Sequence, residues 1–195
     1  MSCIKKISAD LLFDCANPPS QGIETNALIV NSEDIDRTTS TVDTDGKINV
    51  VLKEETEGFL IQGIKQINSF NYELEVNDDS LNKVIHRYVG RIYNLTPTAK
   101  DQINAFIDGA NVVVIVQNKA KGIDNLDAFE VLGYENGLEI SEGTKNSQEN
   151  DGAFTLTLAS NPLSLEPRVP LTYLDTDYDT TLTAFENKLS TVTPV

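Results

Sequence analysis

Apolar and polar residues alternate with a period of two over much of the chain. In "FNYELEV" (70–76), Phe70, Tyr72, Leu74 and Val76 fall on one side, and Asn71, Glu73 and Glu75 on the other. That is the pattern of a half-buried strand whose apolar side turns to the core. After an Asp45-Gly46 turn signal, Ile48, Val50 and Leu52 alternate with Lys47, Asn49 and Lys53. Phe154, Leu156 and Leu158 alternate with Thr155 and Thr157. "NALIVN" (26–31) and "NVVVIVQN" (111–118) are continuous apolar runs, expected of buried strands, and "GFLIQGI" (58–64) is a further apolar run. "KVIHRYVGRIYNL" (83–95) reads as a longer strand with mixed faces. "AFEVLGY" and "GLEI" read as a hairpin through Glu135-Asn136-Gly137.

Helical spacing is confined to two places. Thr96 is a capping residue and Pro97 suits the first helical position. Ile103, Phe106 and Ile107 then form an apolar stripe, and Gly109 suits the C-terminal cap. Near the end of the chain Asp179 is a candidate cap for a short helix with Leu182, Phe185 and Leu189 on one face. "NPLSLEPRVPL" holds three prolines, which exclude it from a central strand. The expected fold is mainly β: eight or nine strands in a β-sandwich or barrel, with one flanking internal α-helix and a short C-terminal helix. The expected organisation is an N-terminal arm (1–25, containing "CANPPSQG"), a β-rich domain (26–160) and a Pro-rich C-terminal extension (161–195).

With 195 residues the chain is long enough for a substantial core. Its net charge of −15 leaves no basic patch for phosphate and opposes binding to free nucleic acid or anionic membrane. No run of about 18 apolar residues occurs, so no membrane span is expected. Lys5 and Lys6 precede a segment too short and too acidic for a signal peptide, so the protein is expected to start near Met1 and fold in a cytoplasm. Cys3 and Cys15 make no disulfide framework. They fit a reducing compartment and are expected to be small buried or half-buried apolar side chains.

Residues that could carry catalysis or bind a metal are few and poorly placed for either. His86, the single histidine, lies mid-strand without a nucleophile motif and reads as packed or hydrogen-bonded. "TVDTDGKINVVL" fails as an EF-hand: with Asp45 and Gly46 in their loop positions, the bidentate acid would have to be Leu52. Glu54, Glu55 and Glu57 form an acidic cluster that reads as a solvated face rather than a glycosidase pair. No enzyme activity, cofactor or metal is expected.

Several phrases, in order, carry a resemblance: "DCANPPSQGIE", "LIVNSEDID", "HRYVGRIYNLTPTAKDQINAFIDGANVVVIVQNK", "VLGYENGLEISEGTKNSQENDGAFTLTLAS" and, near the end, "TYLDTDYDTT". Together they resemble virion structural proteins of phages infecting Bacteroidetes, of the tail-tube kind. The resemblance implies a β-sandwich or barrel with a flanking helix, in subunits that form stacked rings, usually hexameric, through which DNA passes without specific binding. It implies as partners the chain itself and other tail or connector proteins, with no membrane, in the virion tail and, during assembly, the host cytoplasm. The acidic residues Glu73 and Glu75, and after them Glu54, Glu55 and Glu57, are the candidates for a lumen-facing belt. Residues 32–47, the 143–152 loop and the terminal arms are the candidates for contacts between subunits. The alternatives are a head–tail connector ring or capsid decoration protein and, third, a ligand- or carbohydrate-binding β-sandwich.

Overall fold

The structure is a computed structural model and describes residues 7–18, 20–64, 67–78 and 80–191. The fold is mainly β. Its strands are β1 (Ile23–Asn31), β2 (Lys47–Ile48), β3 (Phe59–Gln62), β4 (Ser69–Glu75), β5 (Lys83–Ile92), β6 (Val112–Asn118), β7 (Phe129–Leu132), β8 (Leu138–Lys145), β9 (Phe154–Ser160) and β10 (Leu171–Tyr173). The helices are α1 (Pro97–Ile107) and α2 (Tyr178–Glu186).

The strands form one hydrogen-bonded network in two runs. One run is β3-β1-β6-β7-β10-β2, and the other is β8-β9-β5-β4. A single pair, Val112↔Leu138, joins them between β6 and β8. All ladders are antiparallel except β2 with β10. Between the runs lies a core of Ala27, Ile29, Val114, Tyr88, Leu156 and Leu158. On the far side of the first run, Leu28, Val113, Ile115, Phe129 and Tyr173 pack with Ile48, Val50, Leu52 and Phe185 of α2. Successive side chains of a strand point to opposite faces, so β6 feeds Val113 and Ile115 to one core and Val112, Val114 and Val116 to the other. That is why "VVVIV" is apolar at every position: both faces of this strand are covered.

Helix α1 follows its sequence signals. The Thr96 side chain accepts from the Ala99 N–H, and Pro97 opens the first turn. Gly109, at φ 101°, closes the helix in the left-handed region, its N–H donating to the Phe106 carbonyl. Ile103 is buried and Phe106 half-buried, but Ile107 is exposed and falls outside the stripe.

Other expectations are corrected. The residues Glu135-Asn136-Gly137 do not close a hairpin, because β7 pairs with β6 and β10 whereas β8 pairs with β6 and β9. The turn is a corner that carries the chain from one run to the other. The Pro-rich stretch is irregular, but it delivers β10 between β7 and β2, and Leu171, Tyr173, Phe185 and Leu189 enter the core. The segment read as an extension is therefore part of the body. Asp177, not Asp179, caps α2 by accepting from the Thr180 N–H at 2.8 Å. Residues 32–47 are not a free loop: Ile35 is buried and bridges to Leu52, and the Ser40 hydroxyl donates to the Val51 carbonyl. Cys15 is exposed rather than buried, and Cys3 lies outside the described residues.

Candidate functional site

The features with functional potential are two open sheet edges and the groove beside one of them. Among the described residues β3 pairs only with β1 and ends the six-strand run, and β4 pairs only with β5 and ends the four-strand run. An edge strand presents unpaired N–H and C=O groups to any strand that approaches. In β4 the apolar side is uncovered as well. Phe70 packs on the core, but Tyr72 is exposed, and Leu74 and Val76 are 63% and 65% exposed. The expectation that all of these side chains turn to the core is thus overturned beyond Phe70. Their facing partners on β5 (Tyr88, His86 and Val84) are buried, so the sheet continues past the edge of the material that covers it.

β3 is apolar and open in the same way, with Phe59 and Leu60 exposed, and Ile64, just past its end, is exposed too. Between β3 and α1 runs a groove of about 1200 Å³, lined by Phe59, Leu60, Ile64, Ile92, Ala99 and Phe106. Buried Asn68 links β1 to β5 beside it: its amide donates to the Thr25 carbonyl at 3.2 Å, and its oxygen accepts the N–H of Arg91, a lining residue, at 3.2 Å. Gly63 donates to the same Thr25 carbonyl at 2.7 Å, and a Cβ there would come within 2.9 Å of that oxygen. Only glycine lets the chain pass so close.

The acidic residues singled out from the sequence lie on two separate elements. Glu73 and Glu75 are exposed on β4, where Glu73 pairs with Arg87 of β5 at 3.2 Å. Glu54 and Glu55 are exposed in the turn before β3, Glu55 at φ 60°, and Glu57 lies 3.8 Å from Lys188. Among the described residues no group of His, Cys, Asp or Glu is arranged to hold a metal ion.

His86 serves the fold. Its ring is 2% exposed; Nδ1 accepts the Gly133 N–H at 3.1 Å, which leaves Nε2–H to donate to the Arg168 carbonyl at 2.9 Å. Burial lowers its pKa to about 4, so the neutral ring pins β5 to the corner and to the Pro-rich stretch. Glu166, which the sequence reading passed over, is buried at the same corner. It accepts from the Glu135 and Asn136 N–H groups at 3.2 and 2.9 Å, and burial pushes its pKa up. The only sequence signal was an acid within a proline-rich stretch, which names no partner. Beside the corner Arg37 lies over the Tyr134 ring, 4.5 Å from its centre, and donates to the Tyr134 carbonyl.

Compared with protein-family models, with curated proteins and with solved structures, the chain matches none.

Proposed function

We propose that the protein is a bacteriophage virion structural protein, a tail-tube subunit whose copies close into rings, six to a ring, that stack into a conduit for DNA. The observation that carries this reading is the pair of open apolar edges at β3 and β4. A monomer gains nothing from leaving two edges unprotected, and ring closure between copies removes them by strand pairing while burying Tyr72, Leu74 and Val76. The mainly β architecture with a flanking helix is compatible with the resemblance described above. The net charge of −15 suits a wall past which a polyanion must slide. In this reading Glu54 and Glu55, which form no ion pair among the described residues, contribute most to the lumen charge, and Glu73, Glu57 and Glu75 less, because Arg87 and Lys188 lie beside the first two and Lys83 of β5 stands opposite Glu75.

Negative-stain microscopy of the purified chain tests the reading. Stacked six-fold rings are expected. Rings that never stack would assign the chain to a connector, and isolated particles at every concentration would refute assembly.

A further inference from the structure

The arm before β1 has the pattern of a strand but no strand partner among the described residues. In residues 7–14, "ISADLLFD", Ile7, Ala9, Leu11 and Phe13 fall on one side of an extended chain, with Ser8, Asp10, Leu12 and Asp14 on the other, which is mostly polar. Leu11 is 93% exposed and Phe13 70%, and among the described residues the hydrogen bonds of residues 7–18 are local ones, from Ala16 and Asn17 to Asp14. The body meanwhile carries a groove of about 1200 Å³ with an open strand, β3, on one wall and the apolar face of α1 on the other.

We propose that the arm of one copy lies in the β3–α1 groove of a second copy, paired with β3 as an added strand. This rests on the self-assembly reading and specifies one of its contacts. The fit has three parts. An extended segment from Ile7 to Phe13 is about 20 Å long, enough to run the length of β3. Its apolar side meets Leu60, Ile64, Ile92 and Phe106. Its charge is complementary: residues 7–18 hold Asp10 and Asp14 and no base, whereas among the described residues the only charged one lining the groove is Arg91, whose guanidinium has no carboxylate partner among them. The Pro18-Pro19 pair in the sequence restricts the backbone of the link to β1 and so lowers the entropy lost when the arm docks.

Crosslinking between two versions of the full chain tests the contact. Both carry Cys3→Ser and Cys15→Ser; one adds Phe13→Cys in the arm and the other Leu60→Cys in the groove. Both positions are exposed in the single chain, so the body stays folded. Oxidation of the mixture is expected to give the mixed disulfide-linked dimer, several-fold more than when Leu12→Cys, on the other side of the arm, replaces Phe13→Cys. A chain carrying both Phe13→Cys and Leu60→Cys that closes on itself, with no mixed dimer formed, would overturn the proposal in favour of the chain's own arm. No crosslink in either format would overturn it altogether. Rings that form without the crosslink leave the assembly reading standing and remove this contact, and a crosslink without rings does the reverse.

Discussion

His86 of β5 and Gly133 after β7 are joined across the corner of the fold, the glycine N–H donating to Nδ1 at 3.1 Å. The bond requires a ring nitrogen without a proton, so it makes stability depend on pH. Burial holds the folded pKa at about 4 against an ordinary value of 6.5. Between those values the unfolded chain binds the extra proton. Stability should therefore be full above pH 6.5 and fall as pH drops toward 4, by at most about 3 kcal/mol. Glu130 and Glu166 act with the opposite sign: burial raises their pKa values above 4.5, so the folded state takes up their protons first and gains from it. Urea titrations across this range, with His86→Gln as the comparison, check the first effect. The variant should be less stable at neutral pH and show a flatter pH dependence.

Glu166 caps the corner from below by accepting two backbone N–H groups. Glu166→Ala should cost about 1–3 kcal/mol, because it removes the acceptor for both donors. Glu166→Gln keeps one oxygen and avoids burying a charge, so its loss should be smaller. The midpoint of urea unfolding distinguishes the two.

Much of this was legible in the sequence, for identifiable reasons. β6 and the start and stop of α1 rest on local signals: an unbroken apolar run, a Thr-Pro pair and a glycine that closes the helix. Partner choice is not local. "VLGYENGLEI" has the turn chemistry of a hairpin, yet β7 and β8 find different neighbours. β10 is three residues long and follows a proline, so its place between β2 and β7 is set by distant strands. Periodicity assigned Tyr72, Leu74 and Val76 to one side of β4 but says nothing of whether that side is covered. In "DYDTT" two acids compete for the cap, and Asp177, the earlier, takes it.

The uncovered side of β4 makes a specific expectation. Leu74→Lys replaces an exposed side chain and should change folding stability by no more than about 0.5 kcal/mol. It should nonetheless abolish or strongly weaken association, because it places a charge in the strand contact. Urea unfolding and sedimentation velocity on the same sample separate the two effects.

The acidic face of β4 makes another. Glu73→Lys with Glu75→Lys breaks an exposed ion pair, worth at most about 1 kcal/mol, and should leave the fold intact. In assembled particles the substituted wall should slow DNA transit at low salt. The difference should shrink toward about 0.15 M, where the Debye length is about 8 Å. Ejection kinetics in tubes shown to be intact provide the readout.

Sedimentation velocity of the unmodified full-length chain over a rising concentration series is the most direct measurement of the central claim. Each copy carries a net charge of −15, so association should be stronger at about 0.15 M salt than at about 0.01 M, where repulsion reaches about 30 Å. The account predicts that the 21.4 kDa species gives way to a closed ring of about six times that mass and then to larger stacks. A single 21.4 kDa species at every concentration and salt would contradict it.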